Sequence, residues 1–229
     1  MQLSSLSRRA VLGLLAGGAS PAFASTAVDL ALVLAIDVSY SVDAVEYQLQ
    51  MQGTGQAFRA PEILDAVSRG ARKRIAVSAF LWSDPQSQFV LAPWQLLKGP
   101  EDAVMLGNYF LRAPRDVPRG TTATGSALLF AQSLLQTAPP AFRHVIDIST
   151  DGTCNEGPPA PQARDAAVAL GTTINGLAIT KDVSDLEEYM RSDVAGGDQA
   201  FVLKANDFED YGRALRQKLF REITGADLI

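Results

Sequence analysis

The sequence predicts an α/β fold, a three-layer αβα sandwich around a mostly parallel central sheet with one antiparallel edge strand. Three observations predict it. Short apolar runs alternate with longer segments of helical spacing, the pattern of repeated β-α-β crossovers. The first run, Leu30 to Ile36, is apolar without interruption, as in a strand buried on both faces. Two such runs end in polar strings, Asp37-Val-Ser39-Tyr-Ser41 and Thr150-Asp151-Gly152. These are the carboxyl ends of strands, beyond which open α/β sheets bind their ligands.

Taken in order, the chain opens with Ser7-Arg8-Arg9-Ala-Val-Leu12, a short apolar stretch and Pro21-Ala22-Phe23-Ala24. A basic start, an apolar centre and a small-x-small end describe an export signal over residues 1–24, and the paired arginines resemble a twin-arginine signal. The apolar part is shorter than the roughly 20 residues that span a bilayer. The expectation is therefore cleavage near Ala24, a mature domain over residues 25–229, and a periplasmic or secreted location without stable membrane insertion.

After the first strand, Asp43 to Phe58 reads as a helix. Its Gly53 and Gly55 weaken the helical pattern but allow close packing on the sheet. Ala60 to Ser68 is a second, short helix with Pro61 in its first turn. Arg74 to Trp82 is the next strand, and Gln88 to Leu91 can pair beside it as an edge hairpin. Pro100 to Leu111 and Thr122 to Gln136 are helices, and His144 to Ser149 is the strand that leads to Asp151. Ala160 to Leu170 is helical, Thr173 to Ile179 a strand and Val183 to Met190 a short helix. Gln199 to Leu203 is the last strand and Phe208 to Ile223 a closing amphipathic helix.

Composition narrows the chemistry. The whole chain has 20 basic and 25 acidic residues; without Arg8 and Arg9 the balance is 18 against 25, or -7. A nucleic-acid binder resting on bulk positive charge is not expected. Cys154 is the only cysteine, so no intrachain disulfide forms. With one histidine and one cysteine, a zinc site of nitrogen and sulfur ligands is not expected either.

Asp37, Ser39 and Ser41 offer a carboxylate and two hydroxyls at alternate positions, donors suited to a hard cation. Gly120-Thr-Thr122-Ala-Thr-Gly-Ser adds hydroxyls just before a helix, and Asp151-Gly152 adds a second acid with a residue permitting a tight turn. The two acids repel if brought together, and a divalent cation relieves that repulsion. Helix capping by Ser41, Asp43 and Thr122 is the competing reading, and it leaves Asp37 and Asp151 unexplained. Arg112, Arg115 and Arg119 enter the Thr122 loop, either to attract an acidic partner or as a solvated stretch. Trp82 and Trp94 are expected to seal the sheet edge, His144 to be structural and Cys154 inert.

The order D-x-S-x-S, G-x-T-x-T-G, T-D-G resembles von Willebrand factor type A domains, from about Val28 to the C-terminus. More narrowly it resembles the exported bacterial members of that group of unknown function, in which Trp-Ser follows the second strand and Pro-Trp the hairpin. Here these are Trp82-Ser83 and Pro93-Trp94. The resemblance implies a Rossmann-like sheet and a metal-ion-dependent adhesion site. It assigns direct coordination to Ser39, Ser41 and Thr122 and a direct or water-mediated role to Asp37 and Asp151. The implied ion is Mg²⁺, or Mn²⁺ or Ca²⁺, and the implied partner a protein that completes the shell with Asp or Glu. The alternative is a metal-dependent hydrolase of the envelope. Against it, the chain has no G-x-S-x-G elbow, H-E-x-x-H helix or Walker-type lysine loop.

Overall fold

The computed structural model describes residues 27–226. The export signal read over residues 1–24 lies outside them. Within them, six strands form one sheet: β1 (Val28–Asp37), β2 (Ile75–Trp82), β3 (Gln88–Leu97), β4 (Ala141–Thr150), β5 (Thr172–Ile179) and β6 (Val202–Ala205). Their order is β3-β2-β1-β4-β5-β6, with β3 antiparallel to β2 and every other pairing parallel. The expected fold class is the observed one.

The period of two in β1 divides the core. Leu30, Leu32, Leu34 and Ile36 face one side, where α1 (Ala44–Arg59), α2 (Pro61–Val67), α3 (Pro100–Phe110) and α7 (Tyr211–Thr224) cover the sheet. Ala31, Val33 and Ala35 face the other, under α4 (Thr124–Leu135), α5 (Ala160–Ala169) and α6 (Leu186–Tyr189). With both faces covered, alternation has no polar phase, so the strand reads as one apolar run.

Several expectations need correction. Gly53 and Gly55 let α1 approach helices rather than the sheet. A Cβ at Gly53 would lie 2.8 Å from Gly212 Cα in α7, and one at Gly55 2.7 Å from Gly107 O in α3. The edge strand runs on to Leu97, well past Leu91. It tolerates Pro93 because an edge strand has a side with no ladder to donate into. Trp82 lies in the core between sheet and helices, not at the sheet edge, and only Trp94 sits on the edge strand. The short helix starts at Leu186 and passes into one π turn, Met190–Val194.

The fold positions a site because β1 and β4, adjacent at the centre of the sheet, send their connections to opposite sides. The crevice beyond their carboxyl ends is a topological switch point. Asp37 ends β1 and Thr150 ends β4, with Asp151 next in the chain.

Candidate metal centre

Asp37 is fully buried, and its two oxygens are held by different elements. Oδ1 accepts from the Ser39 backbone N–H at 2.7 Å, the tight turn that leads the chain out of β1. Oδ2 accepts from the Thr150 hydroxyl at 2.5 Å, which in turn accepts from Gly152 N at 3.1 Å. That hydroxyl ties the end of β4 to the end of β1.

The remaining donors form a chain of hydroxyls. Thr122 Oγ1 donates to Ser39 Oγ at 3.3 Å, Ser39 Oγ lies 3.1 Å from Ser41 Oγ, and Ser41 Oγ donates to Asp151 Oδ1 at 2.6 Å. Asp37, Ser39, Ser41, Thr122 and Asp151, separate in sequence, are thus linked in one network. Ser41 and Thr122 do not cap helices. The cap of α1 is Asp43, which accepts from Val45 N and Glu46 N while Glu46 returns the bond to Asp43 N. The residue before α4, Ala123, offers no side-chain cap.

Three loops are clamped around this network. Tyr40 N donates to Gly120 O at 2.7 Å. Asn155 and Thr122 exchange bonds, Thr122 N to Asn155 Oδ1 at 2.9 Å and Asn155 N to Thr122 O at 3.0 Å. Gly125 brings the first turn of α4 against the loop that follows Asp151. A Cβ there would overlap the carbonyl oxygen of Pro158 and come 2.9 Å from its carbon. Arg115 donates to Val38 O at 2.8 Å and Asp43 O at 3.1 Å, and Arg119 donates to Tyr40 O. The two arginines therefore hold the β1–α1 loop, a role that neither reading of them from sequence contained. Arg119 also lies 5.9 Å from the centre of the Tyr40 ring, which is 63% exposed.

Thr150 and Asn155 are the site residues that sequence reasoning missed. Thr150 stands next to Asp151 in the motif itself, so adjacency was the available signal; nothing in the sequence pairs Asn155 with Thr122. Cys154 is half-buried beside the site, its Sγ 3.4 Å from Glu156 O, and its N–H donates to the Tyr189 hydroxyl. His144 lies at the opposite end of β4 from Asp151.

The electrostatics are those of an acidic hole. Burial, then the charge of Asp151, push the Asp37 carboxyl up to about 7, against the lowering effect of its bonds from Thr150 and Ser39. Burial also raises Asp151, against the Ser41 hydrogen bond, with Glu46 and Asp182 adding to the rise. Among the described residues neither acid has an ion-pair partner. No three His, Cys, Asp or Glu side chains converge on a metal position among them. The donors are two carboxylates and three hydroxyls beside a cavity of about 320 Å³ that Tyr40, Ser41, Thr122, Asp151 and Asp182 help to line. Oxygen-only donors with two unpaired acids fit a hard divalent cation.

A pH dependence follows. Asp37 holds its proton to about 7 when folded and to 3.8 as an ordinary side chain. Its contribution to stability is thus complete below pH 3.8 and is lost as pH rises through about 7. In chelator, denaturant midpoints should fall between about pH 5 and pH 7.5, and Asp37→Asn should flatten that fall. An equally steep fall in Asp37→Asn would show that Asp37 is not its source.

The model of a family described as "protein of unknown function (DUF1194)" matches residues 27–227. None of the curated proteins matches the chain. Solved structures similar to it include proximal thread matrix protein 1 from the mussel byssus, with a zinc-occupied MIDAS motif. That protein is 16% identical over 86% of this chain and 48% of its own, at a TM-score of 0.61. A von Willebrand factor type A protein from Catenulispora acidiphila is 21% identical, over 86% of this chain and 43% of its own, at 0.60. The pilus adhesin SpaC from Lactobacillus rhamnosus GG is 13% identical, over 86% and 31%, at 0.61. The chain thus spans less than half of each of these three. At such identities the likeness is one of fold, and the fold is that of a von Willebrand factor type A domain.

Proposed function

The chain belongs to the DUF1194 family of proteins of unknown function, and for it we propose a protein-binding module that holds a divalent cation and engages a partner's carboxylate. One observation carries the reading: Asp37, Ser39, Ser41, Thr122 and Asp151 converge at the switch point, and among the described residues neither acid has an ion-pair partner, the nearest cation, Arg115, being held on the Val38 and Asp43 carbonyls. Ser39, Ser41 and Thr122 would supply neutral oxygens, and Asp37 and Asp151 the charge. Mg²⁺, or Mn²⁺ or Ca²⁺, bound there supplies a Lewis-acidic position for an Asp or Glu of the partner. A zinc ion in the MIDAS motif of the mussel neighbour supports a divalent ion at this place in the fold.

Binding is favoured over catalysis by what surrounds the acids. The only histidine lies at the far end of β4, and the hydroxyls at the site are committed to one another. An adhesin among the fold neighbours supports the same reading. We further propose export, with the signal removed after Ala24. Among the described residues no helix is long and apolar enough to cross a membrane. An intact mass starting at Ser25 is the expected result, and one that retains residues 1–24 after export contradicts it.

The test of function is selection of displayed random peptides on the mature protein in Mg²⁺. Enriched peptides should share an acidic residue and should be released by chelator. They should not bind Thr122→Ala, which lacks one of the neutral oxygens. Enrichment without acidic residues, or binding that chelator leaves intact, contradicts the proposal.

A further inference from the structure

Three charged side chains are buried together under α7, on strand and helix positions remote from the metal centre. Lys218 Nζ lies 2.8 Å from Asp147 Oδ1 and 2.8 Å from Glu222 Oε1, and the three side chains are 0%, 3% and 0% exposed. Glu222 Oε1 also accepts from Asn175 Nδ2 at 2.9 Å, and Asn175 Oδ1 from Phe201 N at 3.2 Å. The outer oxygens, Asp147 Oδ2 and Glu222 Oε2, are buried with no hydrogen-bond partner.

Two carboxylates share one ammonium, so with all three ionised the triad carries a net negative charge in a buried place, which is unfavourable. One added proton removes that charge. We propose that the folded protein carries this proton on Glu222 at neutral pH, making the triad a pH-sensitive latch between α7 and strands β4 and β5.

The surroundings are consistent with that choice. Burial, then the charge of Asp147, raise Glu222 to about 8, against the opposing pull of Lys218 and Asn175. On β4, Arg143 donates to the carbonyls of Glu222 and Ile223 at 2.7 and 2.9 Å, and its charge reaches the Glu222 carboxylate from there without forming an ion pair. On α7, Arg221 covers the Phe201 ring at 4.1 Å, and Tyr211 lies toward Asp147 with its hydroxyl 3.5 Å from Thr54 of α1. From α2, Glu62 faces Arg216 at 3.2 Å. Beside β6, Arg213 pairs with Asp210 and donates to Lys204 O.

Because Glu222 binds its proton more tightly when folded than its ordinary 4.5, the latch is complete below pH 4.5 and is lost as pH rises through about 8. Between those values the folding constant attributable to this one proton should fall by up to about tenfold per pH unit.

The experiment compares wild type with Glu222→Gln, a neutral isostere, in denaturant melts at about pH 5 and about pH 9. Both are measured in excess Mg²⁺, and any Asp37 contribution is common to the two proteins. The proposal expects a smaller loss of stability between the two pH values in Glu222→Gln, which should equal or exceed wild type at neutral pH. The same pH-dependent loss in both proteins, or a variant weaker than wild type at neutral pH, overturns it. Infrared spectra of ¹³C-glutamate-labelled wild type provide a second measurement that needs no variant. A protonated-carboxyl band should be present at about pH 6 and lost at about pH 10. Its absence at about pH 6 overturns the assignment.

Discussion

Asp151→Ala is expected to change the sign of its effect with the ion. In chelator at neutral pH it removes a buried acid that repels Asp37, and what it gives up is the hydrogen bond from the Ser41 hydroxyl and one from its own backbone N–H. The two effects oppose one another, so the variant should be as stable as wild type or slightly more so. With Mg²⁺ at 100 times its dissociation constant, wild type gains about 2.7 kcal/mol from mass action. The variant, without one of the two acids that balance the ion, should gain little. Four denaturant melts, two proteins with and without Mg²⁺, check this. Equal losses in both conditions would make Asp151 a structural residue and remove the basis of the proposed site.

Gly125→Ala should act on stability and site together. An alanine is the better helix former by about 1 kcal/mol, and Gly125 lies in the first turn of α4. The added methyl nevertheless meets the Pro158 carbonyl, a backbone group that cannot swing aside as a flexible side chain does. Overpacking of this kind costs about 1–3 kcal/mol. The clash should win, giving a net loss of about 1–2 kcal/mol. Relief comes by moving the loop after Asp151 away from α4, which separates Asp151 from Thr122. The variant should therefore also lose most of its stabilisation by Mg²⁺. Unchanged stability together with a full Mg²⁺ response would show that the loops are not clamped as described.

How much of this was legible in the sequence depends on where the information lies. The strands were, because a sheet covered on both faces leaves apolar runs such as Leu30–Ile36 with no polar phase. The convergence of Asp37, Ser39, Ser41, Thr122 and Asp151 was, because each sits at a strand end or before a helix within a short motif. Contacts between remote segments were not. Asn155 looks like any loop asparagine until it is found bonded to both backbone groups of Thr122. Arg115 and Arg119 carry the same charge whether they hold a loop or face solvent, and only their carbonyl partners distinguish the two.

The buried triad escaped for a related reason. Lys218 and Glu222 fall four residues apart, a spacing that on an amphipathic helix ordinarily marks a solvated ion pair. Here that pair faces Asp147 in the middle of a strand. The extent of β3 was hidden by Pro93, which argues against a strand everywhere except at an edge.

The central claim is that a divalent ion binds among Asp37, Ser39, Ser41, Thr122 and Asp151. Crystals grown with Mn²⁺ test it most directly, through the anomalous signal of the metal. The account predicts one strong anomalous peak in that cluster, about 2–2.6 Å from several of its oxygens. A map from saturating Mn²⁺ with no peak there, or with peaks only elsewhere on the surface, would contradict it.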